Sequence, residues 1–459
     1  MKINKGREKI DRSKMPVCEG FEDIKFPDVY ENKLPNGMNV LVLEDRKIPI
    51  ISTRILLSAG SIHDSVIGKN KSGIASLITE MMTKGTMTRS AEDIADEIEY
   101  LGADLNSNVS YDSIFVSAKS LTKYFIQVFE IACDILLNPV FAEEELKKAK
   151  TQRLNNLLYY NDYGKFLSSK MFIKNIHKNS PYSDTTIGSL ESVENISRQD
   201  IMDYYYKLFN PANITIAFIG DISPDDAYNM SIEKFKSWKS FKSGVLDIKE
   251  NKLNNTNEIF ILDKKDFVQS DIFLGHLSLP LNNPDYIPMI VLNTIIGGTF
   301  TSRLNKRLRE KSGYTYGISS SFNLKKFTGE FVVKTSVNTD VTSNSTEIIL
   351  DELRSIVNEI VPEEELLNAK NYIMGSFPLQ METSNSIAGS LLRLKFYEFE
   401  KDFYNTLFSK IEKLNSDDIL NTARKHIHPE NVIISITGNA GRFSKSMEQF
   451  GKVTVLKNI

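Results

Sequence analysis

An arginine and a tyrosine stand seven residues apart in the second half of the chain, at Arg309 and Tyr316. Basic residues and leucines alternate before them, which predicts a helix that breaks at Gly313, and Tyr314 to Tyr316 predicts the start of a strand. Donors held by two rigid elements can point at one spot, which is how an enzyme stabilises a developing oxyanion. The same pattern is also typical of a solvated basic helix followed by an ordinary strand, so both interpretations stay open on this segment alone.

Composition excludes several classes of function. The chain has 459 residues and a net charge of −3, so it lacks the basic excess that favours nucleic acid or an anionic membrane. No run approaches the roughly 18 apolar residues of a membrane span, and the charged N-terminus lacks the apolar core of a secretory signal. Two cysteines, Cys18 and Cys133, are too few for a disulfide framework. We therefore expect a soluble, cytoplasmic protein of two or more domains, with no nucleic-acid or membrane partner.

Sequence patterns of the first half recur in the second half. Phe141-Ala-Glu-Glu-Glu-Leu matches Val361-Pro-Glu-Glu-Glu-Leu, which places Glu145 against Glu365 at an offset of 220. Further matches at offsets of 218 and 219 are Val42–Asp45 with Ile261–Lys264, Asp200–Ile201 with Asp418–Ile419, and Asn210–Asn213 with His428–Asn431. Matches at nearly one offset and in one order indicate two copies of a domain of about 220 residues.

The boundaries of these copies follow from composition. We expect a polar surface arm at residues 1–29, a first repeat at 30–239, a polar linker at 240–257 and a second repeat at 258–459. Strands and helices mix without strict βαβ alternation, which predicts an α+β fold in each half. In the first half, the predicted strands are 38–43, 50–58 and 214–220, and the predicted helices are 73–84, Ser90 to Tyr100, and Glu143 to beyond Leu158.

Three groups of residues carry a resemblance to a known family: Leu34-Pro-Asn-Gly-Met near the start, a frame of Gly73, Ala75, Met81, Lys84, Gly85 and Thr86, and the segment from Gly297 to Tyr316. With the repeat, these residues resemble the pitrilysin/insulinase family of zinc peptidases. Within it they are similar to the bacterial half-length branch, which includes relatives of the mitochondrial processing peptidase. The resemblance implies two tandem αβ-roll domains, with mixed and largely antiparallel sheets and helices packed on one face.

In active members of that family the frame encloses an inverted zinc motif, His-x-x-Glu-His, on a helix. Two imidazoles at i and i+4 share a helix face and can bind one Zn²⁺, and the Glu acts as general base on the metal's water. The third family ligand is a Glu in the long polar helix, where this chain reads Arg153-Leu-Asn-Asn-Leu. The degenerate positions are Ser76 and Glu80 for the histidines, Thr79 for the base, and Asn155 and Asn156 for the third ligand. We therefore expect no metal or other cofactor in this chain.

The second half, by the same resemblance, keeps its functional residues. In active relatives an Arg and a Tyr of that half bind the substrate's carbonyl and stabilise the oxyanion of the tetrahedral intermediate. The matching residues are Arg309 and Tyr316. Arg307 with Tyr314 has the same spacing but fits the family frame less well.

Loss of the metal motif together with retention of the Arg and Tyr predicts a divided active site. The hypothesis is a zinc-lacking subunit of a heterodimeric metallopeptidase, inactive alone. A homologous partner would carry His-x-x-Glu-His and the zinc, and Arg309 and Tyr316 would act in trans on peptides or unfolded segments. The rival hypothesis is a catalytically inert structural or docking protein, like the core subunits that related chains contribute to respiratory complexes.

Overall fold

The structure is a computed structural model that describes residues 26–242, 246, 248, 252–253 and 255–458. Most of the predicted arm, Cys18 and much of the predicted linker lie outside the described residues.

The first half contains strands and helices that alternate irregularly along the chain. The strands are β1 (Tyr30–Lys33), β2 (Asn39–Glu44), β3 (Ile50–Leu57), β4 (Asp104–Val109), β5 (Ile114–Leu121) and β6 (Ile214–Gly220). The α-helices are α1 (Ile74–Met82), α2 (Ala91–Tyr100), α3 (Phe125–Leu137), α4 (Glu143–Tyr160), α5 (Gly164–Ile176), α6 (Leu190–Asn195), α7 (Arg198–Leu208) and α8 (Pro224–Phe235). Short 3₁₀ helices lie at Ser61–Val66, Thr122–Tyr124, Pro181–Ser183 and Pro211–Asn213.

The second half repeats this order with one irregular region. Its strands are β7 (Glu258–Asp263), β8 (Gln269–Ser278), β9 (Ile318–Leu324), β10 (Gly329–Asn338), β11 (Ile433–Gly438) and β12 (Lys452–Leu456). Its α-helices are α9 (Tyr286–Asn293), α10 (Thr342–Asn358), α11 (Glu363–Gln380), α12 (Ser384–Phe396), α13 (Leu407–Lys413), α14 (Ser416–His426) and α15 (Ala440–Met447). π-Helical turns lie at Thr294–Gly298 and Asn305–Lys311, and 3₁₀ turns at Thr339–Val341 and Glu448–Phe450.

Each half forms a six-stranded sheet within the described residues. The strand orders are β1-β2-β6-β3-β5-β4 and β12-β7-β11-β8-β10-β9. The pairs β2–β6, β7–β11 and β7–β12 are parallel and the other pairs are antiparallel. In the first sheet Ile55 stands opposite Val116 and Ile216, and in the second Ile272 stands opposite Thr335 and Ile436. The two matching sheets confirm the predicted α+β fold with tandem homologous halves.

The inner face of each sheet packs against helices of its own half. In β3, Ile51, Ile55 and Leu57 point to that face because side chains alternate along a strand, and they are buried in the core of the first half. Helix α1 joins this core through Ile74, Leu77, Ile78, Met81 and Met82. The packing places α1 beside β4 and α4, the elements that surround the degenerate metal positions.

The outer face of each sheet is covered by a helix of the other half. On α5, Phe172 packs against Val332 of the second sheet, and on α12, Leu392 packs against Ile219 of the first sheet. Each fully buried side chain of this size contributes about 1.5–3 kcal/mol to folding. The two halves have therefore exchanged one helix each, and neither sheet is fully covered by its own half.

Buried polar contacts also join the halves. His177, which follows α5, places Nε2 2.8 Å from Oε2 of Glu330 on β10. The Tyr397 hydroxyl donates to Asp112 across 3.2 Å, between residues 285 positions apart. Burial lowers the pKa of His177, so the neutral imidazole is the form that the folded interior favours.

The segment after Arg309 differs from the predicted secondary structure. The strand predicted to start at Tyr314 is wrong, because β9 begins at Ile318. The Thr315 hydroxyl lies 2.8 Å from the Ser336 carbonyl and 2.9 Å from the Gly317 carbonyl, which holds the chain in a turn before the strand. Among the described residues, no helix is long and apolar enough to cross a membrane.

Candidate functional site

Helix α1 is fixed at its start by a buried carboxylate. Gly73 has a φ of 95°, a conformation that glycine adopts without strain. The Asp64 carboxylate accepts the backbone N–H groups of Gly73 and Ala75 at 2.7 and 3.2 Å, which satisfies donors of the first turn. Burial raises the pKa of Asp64 well above its usual value, against the effect of these donors. The register of α1, and hence the direction of its side chains, is therefore tightly set.

Arg153 of α4 lies across the two positions that match the family's histidines. Its Nη1 donates to Ser76 Oγ at 2.9 Å, and its Nη2 donates to Glu80 Oε2 at 3.0 Å. The side chains of Arg153 and Glu80 are 12% and 28% exposed, so the ion pair is half-buried. A guanidinium thus stands where both positions converge, and it links α1 to α4 through charge-assisted hydrogen bonds.

The position of the general base is occupied by a residue with a structural role. Thr79 is buried, and its hydroxyl donates to the Ser76 carbonyl at 2.8 Å. Its own carbonyl accepts the Ser107 hydroxyl of β4 at 2.6 Å. An alcohol with these contacts cannot take a proton from water near neutral pH.

The segment of α4 that matches the family's third zinc ligand contributes one side chain to this site. That side chain is Arg153, whereas the sequence analysis singled out Asn155 and Asn156. Asn155 and Asn156 are exposed on α4. Arg153, two and three residues earlier, makes the contacts to Ser76 and Glu80. The sequence carried a signal for this ion pair. Glu80 is the one acidic residue of α1, and the segment that faces it contains a cationic residue, Arg153.

These residues do not fit zinc. A catalytic zinc site needs three protein ligands such as His, Asp or Glu, whereas a hydroxyl, one carboxylate and a guanidinium converge here. Among the described residues, no group of three or more His, Cys, Asp or Glu side chains could hold a metal ion.

Arg309 and Tyr316 lie at the surface of the second half. The Arg309 Cζ stands 3.3 Å from the centroid of the Phe300 ring, and its Nη2 lies 3.4 Å from Glu310 Oε1. Tyr316 is 98% exposed. Sequence reasoning missed Phe300, whose ring holds the guanidinium by a cation–π contact.

The alternative pair is engaged in the fold. Arg307 Nη1 donates to Glu352 Oε1 at 2.7 Å, and Tyr314 packs against the core of the second half. Arg307 and Tyr314 therefore hold the π-helical turn in place, whereas Tyr316 faces outward and Arg309 lies half-buried against the Phe300 ring.

A groove of about 990 Å³ lies beside Tyr316. Its aromatic lining consists of Tyr163, Phe273, Phe300, Tyr316 and Tyr372, and its basic lining of Lys165 and Lys334. This volume is at the upper end of the usual range for ligand sites, and aromatic surfaces bind apolar side chains well. The first residues of β9, Ile318 and Ser319, also line the groove.

Comparison with known proteins agrees with this geometry. A family model described as "Insulinase (Peptidase family M16)" matches residues 39–188, and one described as "Peptidase M16 inactive domain" matches residues 195–373. The chain belongs to the M16 (insulinase) peptidase family.

The curated relatives are distant in sequence, but this chain matches nearly the full length of each of them. An uncharacterised zinc protease of Rickettsia felis is 25% identical over 407 residues, which are 86% of this chain and 94% of that protein. The uncharacterised zinc protease YmxG of Bacillus subtilis is 22% identical over 88% of this chain and 97% of its own length. A protein named non-peptidase homolog YmxG, from Helicobacter pylori, is 22% identical over 86% of this chain and 93% of its own length.

Two solved structures share the fold. A peptidase M16 inactive domain from Pseudomonas fluorescens superposes with a TM-score of 0.83 at 23% identity, over 90% of this chain and 98% of that one. A protease from Helicobacter pylori gives a TM-score of 0.84 at 17% identity, over 90% and 100%. The chain is thus an inactive-domain-type, peptidase-like M16 protein, and its metal-motif positions hold an ion pair.

Proposed function

We propose that this chain is the zinc-lacking subunit of a heterodimeric M16 peptidase that acts on peptides or unfolded segments in the cytoplasm. The observation that carries the proposal is an asymmetry between two sets of residues. The metal-motif positions are closed by Arg153, whereas Tyr316 is exposed beside a groove that is also lined by Phe300, the ring against which Arg309 is held. The zinc and its general base would come from a homologous partner chain.

The contacts of Arg309 leave its guanidinium able to donate hydrogen bonds to a substrate. Its contact with Glu310 is 3.4 Å long and partly exposed, and such surface pairs are worth less than about 1 kcal/mol. The Phe300 ring limits the directions that the guanidinium can take. Arg309 and the Tyr316 phenol would donate to the substrate's carbonyl oxygen, and both bonds strengthen when the partner's surface excludes water.

The edge strand β9 supports a peptide as the substrate. It pairs with β10 on one side and ends the sheet on the other in the described part of the chain. An extended peptide can add to such an edge through backbone hydrogen bonds. Since Tyr316 lies two residues before β9, a peptide on this edge would pass close to the phenol.

The experiment mixes this chain with a homologous chain that carries His-x-x-Glu-His, and measures zinc content and hydrolysis of a fluorogenic peptide. We expect activity after mixing and none from this chain alone. Arg309→Ala or Tyr316→Phe should each lower the turnover of the mixture by about 10²-fold, the usual loss for one oxyanion donor.

Matched controls are Arg442→Ala and Tyr206→Phe, whose side chains are exposed elsewhere on the chain, and thermal melts verify that every variant folds. Unchanged turnover in both Arg309→Ala and Tyr316→Phe refutes catalysis in trans. A mixture that associates but never hydrolyses peptide would instead support the inert docking protein, in line with the name of the Helicobacter pylori relative.

A further inference from the structure

A second cavity, distinct from the groove beside Tyr316, lies where the outer face of the first sheet meets the helices of the second half. It has a volume of about 470 Å³ and is walled by α9, α11, α12 and α13. Its walls are largely apolar and aromatic, with Ile290, Phe377, Leu394 and Phe403 among them. This size and composition are those of a small-molecule site rather than of a packing defect.

The charged groups of the cavity are both cationic. Arg54, from the outer face of β3, reaches into it, and Arg393 of α12 lies at its exposed side. Arg393 Nη2 is bound to the Tyr286 hydroxyl at 2.7 Å. No Asp or Glu belongs to the lining within the described residues, so the cavity carries two positive charges without a carboxylate to balance them.

Arg54 has no hydrogen-bond or ion-pair partner in the part of the chain that the structure describes. Its Nε is buried without a hydrogen-bond acceptor, and no carboxylate pairs with the guanidinium. The nearest aromatic contact, to Phe115, is 5.8 Å from Cζ to the ring centroid. Burial lowers the pKa of Arg54, because the half-buried side chain has lost part of its hydration without gaining an acceptor. An acceptor from outside the chain would offset that penalty.

The helix that covers Arg54 makes room for it. Gly389 lies in the middle of α12, where glycine destabilises a helix by about 1 kcal/mol relative to alanine. A Cβ at this position would collide with Arg54 Nη1. The glycine therefore leaves space for the guanidinium beside α12, and a larger residue there would make the flexible end of Arg54 move.

We propose that this cavity binds a carboxylate carried on an apolar body, with Arg54 as the inner partner of the carboxylate and Arg393 as the outer one. The cavity is too small for a folded partner, so the ligand is a fatty-acid-like monocarboxylate or the C-terminal end of an apolar peptide. The inference does not depend on the proposed peptidase function, since no residue of the cavity belongs to the Arg309 and Tyr316 site apart from Tyr372, which lines both spaces.

The test is calorimetric titration of the full chain with two matched pairs of probes: decanoate against 1-decanol, and N-acetyl-Leu-Phe against its C-terminal amide. We expect at least one acid to bind, and to bind about 10- to 100-fold more tightly than its neutral analogue, the range of one or two charge-assisted hydrogen bonds. The acid that binds identifies the source of the carboxylate.

Arg54→Met should weaken that binding by about 10- to 100-fold without lowering Tm, because the half-buried guanidinium makes no hydrogen bond or ion pair that the variant would lose. A group needed only for folding would lower Tm. Arg393→Met should weaken binding several-fold and serves as the second variant if Arg54→Met does not fold, whereas Arg442→Met is the surface control. Equal affinity for acid and neutral analogue, absence of binding by both acids, or unchanged binding in Arg54→Met and Arg393→Met would overturn the proposal.

Discussion

Arg153 holds α1 to α4 at the place where active relatives are expected to hold a metal, and its removal should therefore destabilise the first half measurably. Arg153→Met keeps the apolar stem of the side chain but deletes both donors. It leaves Glu80 Oε2 without its partner at 3.0 Å and Ser76 Oγ without its donor at 2.9 Å. The loss is thus a loss of polar contacts with little change in packing volume.

The size of the effect follows from burial. A hydrogen bond to a charged group contributes about 1.5–3 kcal/mol when buried, and the partial exposure of Glu80 (28%) reduces this value. We expect Arg153→Met to lower the free energy of unfolding by about 2 kcal/mol. A double-mutant cycle with Glu80→Gln should give a coupling energy of about 1–2 kcal/mol, since these two groups share one ion pair.

The assay is urea unfolding followed by circular dichroism, with the same cycle on the exposed pair Arg354 and Glu430 as the control. Their side chains are 40% and 64% exposed, and such pairs couple by less than about 1 kcal/mol. If the Arg153–Glu80 coupling does not exceed that of the control pair, the guanidinium does not replace a metal as the link between the helices.

Other predictions concern protonation, backbone packing and thiol reactivity. Burial lowers the pKa of His63 to about 4 and that of His276 to about 3. Because the unfolded chain binds these protons below about pH 6.5 and the folded chain does not, each histidine should lower the unfolding free energy by about 2 kcal/mol between pH 7 and pH 5. Urea midpoints of the wild-type chain and of His276→Gln at both pH values test this, because carboxylates with raised pKa, such as Asp64, change stability in the opposite direction in both proteins. The same pH dependence in His276→Gln as in the wild-type chain contradicts the prediction. Gly275→Ala drives a Cβ into the backbone of β10 and should prevent folding or lower stability by more than about 3 kcal/mol, whereas Gly317→Ala, with open space around it, should change stability by less than about 0.5 kcal/mol. Thermal melts of the two variants measure this difference, and equal Tm values would contradict the predicted destabilisation by the clash at Gly275. Burial also raises the pKa of the Cys133 thiol, so in a Cys18→Ser variant a thiol reagent should react only in denaturant, and rapid labelling of that variant in its native state would contradict this.

Local signals predicted the regular elements well. The predicted strand 214–220 and the predicted helix start at Glu143 agree with β6 and α4, because an apolar run favours a buried strand and three glutamates suit a first helical turn. The sequence matches between the two halves predicted equivalent elements correctly, because they compare the chain with itself. Helices α4 and α11 start 220 residues apart, as Glu145 and Glu365 do.

The missed features depend on contacts between distant segments. Nothing in the sequences of α5 and α12 tells which of the two sheets each helix covers, since both sheets offer similar apolar faces. The strand predicted from Tyr314 failed because the Thr315 hydroxyl bonds to nearby carbonyls, a competition that hydrophobic pattern does not reveal. The contact of Arg153 with Glu80 could not be predicted from the sequence alone, because it depends on how α4 packs against α1.

The helix exchange between the halves sets the order in which the chain can mature on the ribosome. The first sheet is synthesised early, but the helix that covers its outer face, α12, begins only at Ser384. Until then Leu56, Ala217 and Ile219 form an uncovered apolar face, the kind of surface on which nascent chains aggregate or recruit chaperones. The first half is translated first, and yet its outer layer is completed only after β7 to β10 and α11 of the second half have been made.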